Sequence, residues 1–153
     1  MKTFIQLVEA SRAKVKEIFP WDLTERIKDN AVLIVDIREP YEYDAMHIQD
    51  SLNVPRGILE TACEYDFEET VPELVEARER EVVLICRSGN RSIFAAEVMQ
   101  QMGYKHVCSL KTGLRGWNDF EQTLVDNNNR PVSIDDADDY FAAKVHPEQR
   151  RPG

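Results

Sequence analysis

Two short apolar runs constrain this chain more than any other feature. Val32-Leu33-Ile34-Val35 and Val82-Val83-Leu84-Ile85 contain no polar residue and are dominated by β-branched side chains. Runs this short do not make core helices, and a run apolar at every successive position buries both faces of a strand. Strands buried on both faces belong to parallel sheets with helices packed above and below. Each run is closed by a residue with chemistry of its own, Asp36 after the first and Cys86 after the second.

The segments around these runs alternate between helical and strand patterns. Thr3 and Gln6 form a capping box, and Phe4, Leu7, Val8, Val15 and Ile18 recur at helical spacing, which predicts a helix over 3–18 ended by Pro20. A short helix is expected over 21–28, a strand at Ser51–Pro55, and helix formers occupy 70–79. Residues 91–102 read as a helix with Ile93, Ala96, Met99 and Met102 on one side and Gly103 as its stop. His106–Leu110 reads as a strand, and 114–125 as a helical stretch with Trp117 and Phe120 turned inward. Strands alternating with helices define an α/β fold with a mainly parallel sheet. The expected organisation is an N-terminal helical extension over 1–20, a domain over 21–125, and a tail over 126–153. The tail carries the acidic cluster Asp135-Asp136-Ala137-Asp138-Asp139 and is expected to be partly disordered, or docked through Tyr140 and Phe141.

Charge and cysteine usage exclude several functions. Aspartate and glutamate number 28 against 19 lysines and arginines, a formal charge of −9, which argues against nucleic acid as a partner. The apolar runs are too short to span a membrane, and the N-terminus lacks the apolar core of an export signal. The three cysteines are therefore expected to be reduced thiols in the cytoplasm. No CxxC and no Cys/His cluster stands at ligand spacing, so neither a metal nor an organic cofactor is expected.

The chemistry concentrates in Cys86-Arg87-Ser88-Gly89-Asn90-Arg91, between the second apolar run and the helix predicted from 91. Ligands of open parallel sheets bind beyond the carboxyl ends of the strands. Gly89 permits a tight turn, inward N–H groups make an anion nest, and a helix N-terminus adds positive potential. All three favour a negatively charged sulfur on Cys86. Only four residues separate Cys86 from Arg91. Protein tyrosine phosphatases and related arsenate reductases have one residue more there, which makes a ring wide enough for a tetrahedral oxyanion. The smaller ring suits one added sulfur atom.

Taken with the segment from Asp36 to Ile48, the Ser51–Pro55 strand and Thr112-Gly113-Leu114-Arg115-Gly116-Trp117, this loop resembles the single-domain rhodanese family over about residues 21–121. The resemblance implies a three-layer αβα fold with a five-stranded parallel sheet. It also implies sulfur transfer through a Cys86 persulfide, from a donor such as thiosulfate to cyanide, a thiol or a protein acceptor. One departure is Thr112-Gly113, where the family often has two glycines.

Side-chain roles follow in the same frame. Arg87 is expected at the pocket mouth, steering an anionic donor or standing in solvent. Arg91 is expected to hold loop carbonyls or a carboxylate such as Asp36. Ser88 and Asn90 are expected to act through their backbone N–H groups, with Ser88 Oγ a further donor to the persulfide. Asp36 and Arg38 are expected as a supporting ion pair, and His47 as a structural residue at a bend. Cys63 and Cys108 are the candidates for a resolving thiol. The alternatives are a sulfur-carrier or interaction module of low turnover and, further away, a phosphatase or arsenate reductase.

Overall fold

The computed structural model describes residues 1–153. In chain order the helices are α1 (Phe4–Arg12), α2 (Pro20–Lys28), α3 (Pro40–Ala45), α4 (Leu59–Ala62), α5 (Pro72–Val75), α6 (Arg91–Gln101), α7 (Gly113–Asp119) and α8 (Ile134–Phe141). The strands are β1 (Lys16–Ile18), β2 (Val32–Asp36), β3 (Leu52–Asn53), β4 (Glu81–Ile85), β5 (His106–Leu110), β6 (Leu124–Val125) and β7 (Pro131–Val132). The first five strands form one sheet in the order β1-β5-β4-β2-β3, and every pairing in it is parallel. β6 and β7 make a separate antiparallel pair.

The two apolar runs become β2 and β4, which lie side by side with Leu33 opposite Val82 and Asp36 opposite Ile85. Side chains alternate across a strand. Leu33 and Val35 of β2 therefore join Val82 and Leu84 of β4 in one core, with Leu59, Leu74, Ala95, Ala96 and Met99. Ile34, Val83 and Ile85 enter the opposite core with Leu23, Leu114, Trp117, Ala137 and Phe141. The same alternation carries Cys86 onto the face covered by α6. β4 is the central strand, so Cys86 emerges at the middle of the sheet's carboxyl edge.

Six local expectations are corrected. The helix predicted over 3–18 stops at Arg12, although its Thr3–Gln6 capping box forms as read. Lys16–Ile18 instead pairs in parallel with Cys108–Leu110, so helical spacing at Val15 and Ile18 yields to strand pairing. Pro20 does not end a helix but begins α2, where its missing N–H costs nothing. The helix predicted over 114–125 ends at Asp119, because Leu124 and Val125 pair with β7. Phe120 lies outside the core at 42% exposure, edge-on to Trp21. The 70–79 helix is confined to α5, and the 51–55 strand to Leu52–Asn53.

Within the C-terminal region α8 packs on the domain, and residues 142–153 are exposed. α8 begins at the Ser133 cap, whose side chain accepts from Asp136 N–H, and it buries Ala137 and Phe141 against the α7 face. Asn118 on α7 ties it down by donating to the Ile134 carbonyl at 3.3 Å and to Asp138 Oδ1 at 2.7 Å. No helix is long and apolar enough to cross a membrane.

Candidate active site

Cys86 leaves β4 and its sulfur turns back into the loop that follows. Gly89 N–H donates to Cys86 Sγ at 3.1 Å and Ser92 N–H at 3.4 Å. Ser92 Oγ lies 3.2 Å from the same sulfur. Ser92 is the second residue of α6, so its N–H is one of those a helix N-terminus leaves without an intrahelical partner. The sulfur therefore completes the helix end, and the helix dipole favours negative charge on it.

Two features turn these amides inward. Gly89 adopts φ +88°, and a Cβ there would stand 3.0 Å from Thr112 N and 3.1 Å from the Leu110 carbonyl oxygen. The loop carbonyls face away from the sulfur, toward α7: Leu114 N–H donates to Cys86 O and Arg115 N–H to Arg87 O, both at 3.0 Å. Gly113, at φ +59°, permits this approach. Thr112 precedes it in a left-handed conformation at φ +67°, which is unfavourable for a β-branched residue. Its side chain fills the space beside Gly116, where any Cβ would collide with Thr112 Oγ1.

Sequence reading passed over Ser92 and Ser109. Ser109 Oγ on β5 lies 2.6 Å from Ser92 Oγ, and both residues are fully buried. A thiolate can only accept, so with the sulfur ionised Ser92 donates to Sγ and Ser109 donates to Ser92. The readable signal for Ser109 was a hydroxyl inside an otherwise apolar strand. Cys86 is only 1% exposed, more enclosed than an open cradle would be, yet the atoms that close on its sulfur include two amides and a hydroxyl.

The arginines separate in role. Arg91 reaches neither a loop carbonyl nor Asp36. Its Nη1 and Nη2 donate to the two carboxylate oxygens of Glu42 on α3, each at 2.9 Å. This hydrogen bond is the largest influence raising the Arg91 pKa. Burial alone would raise the Glu42 pKa, but hydrogen bonds from Arg91 and the Glu39 backbone, with the charges of Arg91 and Arg38, hold it below the usual carboxylate range. A depressed carboxylate stabilises the fold above its unfolded pKa, about 4.3 for glutamate, and loses that contribution as pH falls through the folded value. The urea midpoint of the wild type should accordingly exceed that of Glu42→Gln at neutral pH. The gap should narrow once the pH drops below the ordinary glutamate range, and a pH-independent gap would show that Glu42 acts only by packing.

Asp36 and Arg38 form the expected pair. Arg38 Nε and Nη2 donate to the Asp36 carboxylate at 2.8–3.2 Å, and Nη2 also donates to the Met46 carbonyl at 2.7 Å. Arg38 is fully buried, and its Nη1 has no partner. Arg87 Nη2 donates to the carbonyl of Phe141 at 2.7 Å, linking the loop after Cys86 to the end of α8. Ser88 is exposed and makes no side-chain hydrogen bond, so the expected Ser88 Oγ contact is replaced by Ser92 Oγ. Asn90 stands at the start of α6 without a side-chain capping bond.

The remaining candidates lie apart. His47 stacks on Tyr43 at 3.8 Å and its Nδ1 pairs with the Tyr43 carbonyl, a structural arrangement. Cys63 and Cys108 are buried, and burial raises both thiol pKa values, that of Cys108 to about 11. Neither is presented as a resolving thiol.

A parallel sheet carrying a cysteine in an amide-lined loop after its central strand is an α/β arrangement in which that loop is suited to an anion. The rhodanese-like domain family model matches residues 20–120, and the chain belongs to this family. It is 35% identical over 104 residues to a sulfurtransferase from Allochromatium vinosum, an alignment covering 67% of this chain and 88% of the relative. A Rhodopseudomonas palustris structure described as a possible tyrosine phosphatase has 28% identity and a TM-score of 0.71, covering 80% of this chain and 93% of that one. A rhodanese-related protein from Thermoplasma volcanium has 28% identity and a TM-score of 0.59, covering 72% and 97%. The chain spans 60% of the length of a relative from Synechocystis sp., 66% of one from Schizosaccharomyces pombe and 43% of one from Bacillus subtilis.

Proposed function

We propose that this chain transfers sulfane sulfur through a persulfide on Cys86, with thiosulfate as donor and cyanide, a thiol or a protein cysteine as acceptor. The observation that carries the reading is the set of polar groups on one sulfur: Gly89 N–H and Ser92 N–H donate to it at 3.1 and 3.4 Å, and Ser92 Oγ lies 3.2 Å away. Two inward amides are suited to hold negative charge on this sulfur and on one further sulfur atom bonded to it. The Cys86 thiolate attacks the outer sulfur of thiosulfate. A new S–S bond forms, the old one breaks, and sulfite leaves with the electron pair. An acceptor nucleophile then attacks the terminal sulfur, and the Cys86 thiolate leaves in turn. The inward amides are placed to stabilise negative charge on the persulfide.

The phosphatase alternative fits less well. The loop is one residue short of that pattern, and the arginine closing it has both terminal nitrogens engaged by Glu42. Because Cys86 is 1% exposed, delivery of sulfur requires the loop around it to open. The test is mass spectrometry after incubation with thiosulfate. The expected result is a gain of one sulfur atom, confined to Cys86 and removed by cyanide. No gain with any sulfane donor would refute the proposal.

A further inference from the structure

The end of α8 does more than cover the core. Beside the loop lies a cleft of about 320 Å³ lined by Tyr41, Glu42, Arg87, Tyr140, Ala142 and Lys144. Three of the six come from beyond residue 120, where the family match ends. The cleft adjoins the residue next to Cys86, and Arg87 is held there by the Phe141 carbonyl at 2.7 Å.

The charges in this cleft do not cancel. Glu42 is neutralised by Arg91 through two hydrogen bonds at 2.9 Å. Arg87 bonds to an uncharged carbonyl, and neither Arg87 nor Lys144 stands within 4.0 Å of any carboxylate. Two uncompensated cations thus face a tyrosine-flanked cleft on a chain whose formal charge is −9. A local cationic patch on an acidic surface concentrates small anions where the rest of the molecule repels them.

We propose that the segment Tyr140–Lys144 is a specificity element of the Cys86 site, in which Lys144, with Arg87, binds the anionic group of the sulfur donor. This rests on the sulfur-transfer reading of Cys86 for its catalytic meaning, but the anion site itself stands without it. Tyr140 and Tyr41 flank the cleft, and the buried Phe141 anchors the segment three residues before Lys144.

Binding is measured first without chemistry, by titrating Cys86→Ser protein with thiosulfate in a calorimeter at low ionic strength. Adding Lys144→Glu should weaken binding by about fivefold or more, while Lys144→Arg should stay within about twofold, because an exposed charge contributes modestly but with a definite sign. In an otherwise wild-type chain, Lys144→Glu should raise KM for thiosulfate with little change in kcat. It should raise KM less for a singly charged thiosulfonate. Equal affinity of the Lys144 variants, or no binding to the Cys86→Ser protein, would overturn the inference. Charge-dependent binding combined with a wild-type Cys86 that accepts no sulfur would overturn the catalytic reading alone and leave the anion site standing.

Discussion

Replacing Asp36 with alanine is expected to lower the unfolding free energy by about 3–5 kcal/mol, the cost of leaving one partner of a buried ion pair uncompensated. Arg38 has no exposed surface, and one of its terminal nitrogens is already unpartnered. Without Asp36 it would lose its only carboxylate and keep just the Met46 carbonyl. For a domain of this length the loss corresponds to a fall in Tm of roughly 10 °C. The double variant Asp36→Leu with Arg38→Met removes both charges and should be less damaged than the single variants sum to. A Tm change of less than about 2 °C in Asp36→Ala would mean that water reaches Arg38 and satisfies it.

A methyl group at Gly113 is expected to disable the loop. The added Cβ would stand 2.6 Å from the carbonyl carbon and oxygen of Arg87 and from the oxygen of Cys86, all backbone atoms with no rotamer to escape into. The backbone φ of +59° adds strain for any side chain. Relief requires α7 and the loop after Cys86 to separate, which breaks the Leu114 and Arg115 N–H bonds to those carbonyls. The carbonyls then no longer hold the opposite amides toward the sulfur. Persulfide loading should fall by about a hundredfold or more, the order of effect of losing oriented donors to a reacting anion. Gly113→Ala protein that folds but loads sulfur at the wild-type rate would show that the inward amides do not matter.

Much of this was readable because it is local. The unbroken apolar run Val82–Ile85 and the position of Cys86 after it place the nucleophile candidate at the sheet's carboxyl edge. The sequence locates four of the five strands, and the resemblance supplies their number. What could not be read depends on contacts distant in sequence. Glu42 meets Arg91 across 49 positions, and nothing in the α3 sequence marks it as that arginine's partner. The three residues of β1 are a strand only because β5 offers them an edge. Arg87 is bonded to a main-chain carbonyl, a partner that no side-chain pattern announces. Ser109 was the exception, since a buried polar residue in an apolar strand asks for a partner.

The contact between Thr112 and Gly116 ties two positions into one inheritable unit. Alanine at 116 is sterically forbidden while threonine occupies 112, whereas glycine at 112 would lift the restriction and relax a left-handed turn at the same time. A library randomised at both positions and selected for folding should therefore return pairs in which bulk at one site accompanies its absence at the other, and passage between such pairs should run through glycine at 112 first.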